Sequence, residues 1–107
     1  MGLQAGEILL NNNQSAYADL LTFYTLTFKG AKIAYTIIRG DLVEQGDIYL
    51  SYNRFADTAQ ITTEANFDDT GVQFCASVNE GYIRLLYTST NTGITPIFKH
   101  NITFFPL

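Results

Sequence analysis

The sequence predicts a single all-β domain, an antiparallel β-sandwich or jelly-roll-like fold of seven or eight strands. No helical repeat of three to four residues persists anywhere in the chain. Instead, apolar and polar residues alternate repeatedly from about residue 20 to the end. Clusters of glycine, asparagine and aspartate interrupt this alternation at intervals of about 8 to 12 residues, the turn spacing of sandwiches and barrels.

The first three predicted strands alternate in character. Residues 21–28 alternate large apolar side chains with threonine, and residues 31–39 place isoleucine and tyrosine on one face. The pairs Lys29-Gly30 and Gly40-Asp41 follow these two segments and predict turns. Residues 47–53 again place apolar side chains on one face, so we expect each strand to present that face to a core.

The second half of the chain contains four more predicted strands. Residues 59–67 are rich in threonine, which is typical of a strand at a sheet edge or of a solvent-facing strand. Residues 72–78 alternate most regularly, with Val, Phe, Ala and Val directed inward, and they form a predicted hairpin with residues 82–88. Residues 95–105 form a long last strand, near whose start a proline is tolerated.

The first twenty residues are less regular. Ile8–Leu10 is consistent with a short strand, and Ser15–Leu20 with one helical turn capped by its serine. We therefore expect one domain over residues 1–107, with residues 1–20 as an N-terminal arm or short extra element.

The composition points towards association with other protein chains. Hydrophobic residues make up 47% of the chain and charged residues only 15%, against about 25% in a typical soluble domain. A small domain with so few charges either exposes apolar surface or buries it against partners. We expect burial in a homo-oligomer.

Charge and hydropathy disfavour two other kinds of partner. The net charge of -4, with six lysines and arginines, leaves too little positive charge to neutralise a nucleic-acid backbone. No apolar run approaches the roughly 20 residues of a spanning helix, and Met1–Leu10 lacks the pattern of a signal peptide. A single cysteine, Cys75, cannot form an internal disulfide, which fits folding in a reducing cytosol.

Catalytic groups are sparse. His100 is the only histidine and shares a strand face with Phe98 and Ile102, so we interpret it as a packed or interface side chain. A pairing with Cys75 has no supporting motif. We expect no enzyme activity, no catalytic residue and no cofactor.

The acidic residues have simpler interpretations than metal binding. Asp68-Asp69 precedes Thr70-Gly71, and aspartate before glycine is typical of a tight turn. Asp41, Glu44 and Asp47 match no calcium-loop spacing, so we expect them in a solvated connection. We expect no metal site.

Aromatic residues supply the candidate contact residues. The chain has seven tyrosines and eight phenylalanines. Tyr17, Tyr49, Tyr52 and Asn53 are candidates for an interface, because interfaces are enriched in tyrosine and depleted of charge. The alternative is a sugar-binding surface, on which exposed tyrosines act with asparagine and aspartate.

Four segments resemble a known family: residues 35–40 (YTIIRG), 46–51 (GDIYLS), 69–74 (DTGVQF) and 83–93 (IRLLYTSTNTG). In this order they are similar to the C-terminal β-sandwich tip and decoration modules of fibre, spike and related virion proteins of tailed bacteriophages. The resemblance spans about residues 33 to 103.

The resemblance implies a virion protein made in the host cytoplasm. It implies a structural role at a tail-fibre tip, or in capsid or tail decoration or capping, through a homotrimer or other homo-oligomer bound to other virion proteins. It also allows host attachment, with a receptor or surface glycan as ligand. It carries no catalytic residues. One departure is that such modules usually follow a long fibrous shaft, whereas only about thirty residues precede the similar region here.

Overall fold

The computed structural model describes residues 3–24 and 28–106, and it confirms the all-β fold. Eight antiparallel strands form two sheets that enclose one apolar core. The strands are β1 (Leu3–Leu9), β2 (Ala18–Tyr24), β3 (Phe28–Arg39), β4 (Leu42–Asn53), β5 (Thr58–Phe67), β6 (Val72–Asn79), β7 (Tyr82–Ser89) and β8 (Ile97–Pro106).

The two sheets differ in size. One has five strands in the order β1-β8-β3-β4-β5, and the other has three in the order β2-β7-β6. The central strand of the larger sheet, β3, pairs with β4 on one side and with β8 on the other. The threonine-rich β5 lies at the edge of that sheet, as its composition predicts.

The core lies between the sheets and is built from alternate residues of each strand. Ile33, Tyr35 and Ile37 of β3 face it, as do Ile83 and Leu85 of β7. Burying each such side chain stabilises the fold by about 1.5 to 3 kcal/mol. The inward set predicted on β6 is also confirmed, since its Val, Phe, Ala and Val all belong to the core or pack against it.

The turn predicted at Lys29-Gly30 is wrong, and the solvated connection expected around Asp41, Glu44 and Asp47 is shorter than expected, because Gly30 and Gly46 both lie inside strands. Gly30 is part of β3, where an added Cβ would lie 2.7 Å from the carbonyl oxygen of Leu50. Gly46 is part of β4, where an added Cβ would meet the Glu64 carbonyl and lie 2.9 Å from the Tyr35 hydroxyl. Glycine serves here to let neighbouring groups approach closely, which sequence alone does not distinguish from a turn.

The acidic residues near this hairpin are consequently not in one solvated loop. Asp41 lies in the β3–β4 turn, whereas Glu44 and Asp47 lie on β4. Glu44 is buried on the inner face, and its partners are described below.

The first twenty residues contribute to both sheets. β1 pairs with β8 over its whole length, and β2 begins at Ala18 and pairs with β7. The helical turn predicted over Ser15–Leu20 is wrong, because strand pairing with β7 extends into that segment. The predicted strand over residues 21–28 includes 25–27, which lie outside the described residues. Within residues 3–24 and 28–106, no helix is long and apolar enough to span a membrane.

Candidate functional site

Four aliphatic side chains form a row on the outer face of the five-stranded sheet, the face directed away from the smaller sheet. Leu9 pairs with Ile97, Ile97 with Ile38, and Ile38 with Val43. Directly opposed residues of neighbouring strands point to the same face. Leu9 is 66% exposed and Val43 is 38% exposed, whereas the two isoleucines between them are partly buried. The row is therefore continuous across four strands and open to solvent at both ends.

The sequence contains a signal for this row that the alternation analysis missed. Leu9, Ile38 and Ile97 each adjoin a buried apolar neighbour, Leu10, Ile37 and Phe98 respectively. Consecutive strand residues point to opposite faces, so an apolar pair must place one member outside the core.

Two further exposed aliphatic residues lie at the same end of the molecule. Leu42 opens β4 beside the β3–β4 turn and is 38% exposed. Ile94, which is 46% exposed, lies against that turn, since its Cδ1 is 3.0 Å from where a Cβ on Gly40 would be. We call the six residues together the apolar end: Leu9, Ile38, Leu42, Val43, Ile94 and Ile97.

A buried arginine holds the loops beneath the apolar end. Arg39 is 1% exposed, and its five N–H donors all find acceptors. Nε donates to the Ile94 carbonyl at 2.9 Å, and Nη1 donates to the Thr70 carbonyl at 2.8 Å and to Thr90 Oγ1 at 3.3 Å. Nη2 donates to Asn12 Oδ1 at 2.7 Å and to the Thr90 carbonyl at 2.6 Å. One side chain thus joins the β1–β2, β5–β6 and β7–β8 connections.

A buried carboxylate fixes the β5–β6 connection from the other side. Glu44 Oε1 accepts hydrogen bonds from the Thr70 amide at 3.1 Å and the Thr70 hydroxyl at 2.8 Å. Glu44 Oε2 accepts one from the Tyr35 hydroxyl at 2.8 Å. Burial, reinforced by this hydrogen bond, raises the pKa of Tyr35 well above its usual range. Burial also lowers the pKa of Arg39.

These buried groups are engaged by other groups of the fold. The Glu44 carboxylate is engaged at both oxygens by groups of the fold, and the guanidinium of Arg39 uses every donor. Together they tie the connections beneath the apolar end to one another.

The four contact residues predicted from the sequence do not form one patch. Tyr17 is 51% exposed and precedes β2 at the apolar end, whereas Asn53 lies at the opposite end of β4, beside the β4–β5 turn. Tyr49 points to the outer face of the large sheet. Tyr52 has the opposite orientation, packs against the core and donates to Asp57 Oδ1 at 2.6 Å.

The other candidate residues have structural contacts. His100 stacks on Phe98 with ring centroids 5.4 Å apart, and burial lowers its pKa. Asp69 Oδ1 accepts from the Gly71 amide at 2.9 Å and Asp68 Oδ2 accepts from the Val43 amide at 2.9 Å, so both belong to the predicted turn region. Cys75 is a partly buried free thiol.

Metal binding finds no support in the described part of the chain. Among those residues, no three histidine, cysteine, aspartate or glutamate side chains are grouped so that they could hold an ion.

No family model matches the chain, and no curated protein matches it significantly.

Proposed function

We propose that this chain is a structural subunit of a bacteriophage virion, acting at a tail-fibre tip or as a decoration or capping module. It works by association with copies of itself and with neighbouring virion proteins. The observation that carries the proposal is the aliphatic row from Leu9 to Val43, and the family resemblance of residues 33 to 103 supplies the virion context.

The chemistry of the row suits a subunit contact. Exposed apolar patches on soluble proteins mark interaction sites, and the buried centre of an interface is depleted of charge. No member of the row is charged, in a chain of which only 15% of residues are charged. An aliphatic row of this kind can pack against the same row of a second copy.

A second copy of the chain is the partner that best fits the row. An aliphatic row meets an identical row without like-charge repulsion. The adjoining outward row contains both Glu7 and Lys99, whose charged groups lie 4.0 Å apart. A rim with both signs tolerates its own copy, whereas a rim of one sign would repel it. The resemblance favours three copies.

Rigidity supports the same conclusion. The donors of Arg39 hold the connections at the apolar end before any partner arrives. A preorganised surface loses less conformational entropy on binding, so more of its contact energy contributes to affinity.

Sedimentation equilibrium of the wild-type chain and of a Leu9→Lys, Val43→Lys double variant tests self-association. We expect a wild-type oligomer at micromolar concentration and a monomer for the double variant, because two lysines would face the partner's aliphatic row. Phe55→Lys is the matched control, since Phe55 is fully exposed on the β4–β5 turn at the opposite end. A wild-type monomer, or an oligomer lost only in the Phe55 variant, would contradict the proposal.

The virion assignment has a separate test. Antibodies raised against the folded chain are expected to label purified tailed particles at one position in immunogold electron microscopy. Absence of the chain from purified particles, judged by mass spectrometry, would refute the virion role and leave self-association standing.

A further inference from the structure

A polar groove crosses the outer face of the five-stranded sheet beside the apolar end. It has a volume of about 580 Å³, within the range of about 300 to 1,000 Å³ found for small-molecule sites. It lies between two successive outward rows of side chains, so the backbone of the inward residues between them forms its floor.

The groove follows from a difference in side-chain size between neighbouring strands. The central strand β3 contributes the short outward side chains of Ala34 and Thr36, with the inward-facing Tyr35 between them. Ala34 is in register with Asp47 and Asn101, and Thr36 is in register with Gln45 and Lys99. Longer side chains on β4 and β8 therefore rise on both sides of a low centre.

The polar groups in the groove are available to a ligand. The amides of Gln45, Asn66 and Asn101 make no hydrogen bond to any part of the protein that the structure describes, and neither does the Asp47 carboxylate. Each amide offers a donor and an acceptor side by side. Neighbouring sugar hydroxyls, each of which both donates and accepts, present the complementary pattern.

An aromatic ring adjoins these polar groups. Tyr49 follows Asp47 by two residues on β4, points to the same outer face and is 38% exposed. The face of a tyrosine ring packs against the C–H groups of a pyranose, while its hydroxyl stays in contact with water. No leucine, isoleucine, valine or phenylalanine lines the groove, which disfavours a hydrophobic ligand or an apolar peptide anchor.

The charges favour a neutral ligand. Glu7 and Lys99 face each other at one side with their charged groups 4.0 Å apart, which leaves the Asp47 carboxylate as the unbalanced charge of the groove lining. An acidic saccharide or a phosphate would be repelled by that carboxylate. We infer that the groove between Ala34, Gln45, Asp47 and Asn101 binds a neutral saccharide, with Tyr49 as a stacking platform. This inference does not depend on the virion assignment.

Two-dimensional amide NMR of the labelled chain tests the site. The probes are methyl glycosides of glucose, galactose, mannose and N-acetylglucosamine, together with lactose and maltose. N-acetylneuraminic acid and a glycine-serine peptide are the comparison ligands. We expect saturable shifts of groove amides with at least one neutral sugar, and none with the acid or the peptide.

Variants locate the binding. Ala34→Gln places a long side chain in the low centre of the groove and is expected to abolish the shifts. Asn101→Ala is expected to weaken binding about threefold to tenfold, because it removes one hydrogen-bonding group. Gln60→Ala is the matched control, because Gln60 is an exposed amide outside the groove and leaves binding unchanged.

Three outcomes would overturn the inference. They are an absence of groove shifts with every sugar in the panel, shifts that persist in Ala34→Gln, and shifts produced by the peptide alone. The Leu9→Lys, Val43→Lys variant separates this inference from self-association, because we expect it to bind the sugar as a monomer.

Discussion

Arg39 and Glu44, two buried residues of opposite charge on neighbouring strands, are joined through Thr70. Arg39 Nη1 donates to the Thr70 carbonyl at 2.8 Å, and Glu44 Oε1 accepts from the Thr70 amide at 3.1 Å. The Thr70 residue is thus held from both sides, and the β5–β6 connection is fixed between two buried charges. A buried charge whose partners are removed is costly, so the loops at the apolar end depend on both residues.

Replacement of Arg39 should be the most damaging single change at this end. Arg39→Met would remove five donors and leave the Thr70 and Ile94 carbonyls without this partner, while the Thr90 carbonyl would keep only the Asn13 amide. We expect a loss of about 3 to 5 kcal/mol in the free energy of unfolding. Urea denaturation monitored by circular dichroism measures this loss.

Lys29→Met is the control for Arg39→Met, since Lys29 is exposed on β3 and its replacement should change stability by less than about 0.5 kcal/mol. Equal losses in the two variants would show that the hydrogen bonds of Arg39 contribute nothing specific.

Gly46 should not accept a side chain. In Gly46→Ala the new methyl group would meet the Glu64 carbonyl and the Tyr35 hydroxyl, so β5 or the Tyr35–Glu44 hydrogen bond must shift. Overpacking of this kind costs about 1 to 3 kcal/mol. The measurement is the thermal unfolding midpoint, which should fall.

Gly6→Ala provides the comparison for Gly46→Ala. Its methyl group would meet only the ring of His100, a side chain that can move. A larger loss in Gly6→Ala than in Gly46→Ala would contradict this account of close packing.

His100 should make stability depend on pH. Burial lowers its pKa from the usual 6.5, so the folded chain takes up this proton less readily than the unfolded chain. The neutral form of His100 therefore contributes fully to the free energy of unfolding above about pH 6.5, and this contribution is lost as the pH drops below that value. Free energies of unfolding at about pH 7.5 and about pH 5.5 measure the effect.

His100→Gln, which carries no titrating group, should lose stability less steeply between those two pH values. If the wild type and the variant lose the same amount, other groups are responsible for the dependence.

Phe74 tests the inward face of β6. It packs against Tyr35 and Phe98, with ring centroids 5.3 Å and 5.9 Å away, but it is only partly buried at the edge of the smaller sheet. Phe74→Ala should lower the free energy of unfolding by about 2 to 4 kcal/mol. This is less than for a fully buried phenylalanine, because part of the ring is exposed. Chemical denaturation measures this cost.

The neighbouring Gln73→Ala, on the exposed outer face, should be nearly neutral. A cost below about 1 kcal/mol for Phe74→Ala would contradict the assignment of the inner face.

The sequence predicts that most of the strands are present, but it does not predict where a strand begins or ends when glycine lies near its boundary. The period of two in residues 72–78 and the turn at residues 79–81 identified β6 and β7 correctly. Sequence places Gly30 in a turn because glycine is common in turns, and it gives no reason to place Gly46 inside a strand. Their actual role depends on Leu50, Glu64 and Tyr35, which are distant in sequence and reach the glycines only after the sheet has formed.

The candidate surfaces were accessible to sequence analysis only in part. Tyr49 was identified and lies beside the groove, whereas Tyr17 and Asn53 lie at opposite ends of the molecule. The aliphatic row could not be predicted without the strand register. Leu9 and Ile38 become neighbours only because β1 and β3 both pair with β8, and Ile38 and Val43 only because β3 pairs with β4.

The sequence by itself determined the all-β class, the alternation of most strands and the shortage of charge, because side-chain periodicity and composition are local properties. Tertiary structure alone decided the burial of Arg39 and Glu44, the position of the apolar end and the presence of a groove at Ala34. Each of these depends on which strands become neighbours and in what register. That choice is made by the packing of the whole core, and no single segment of sequence specifies it.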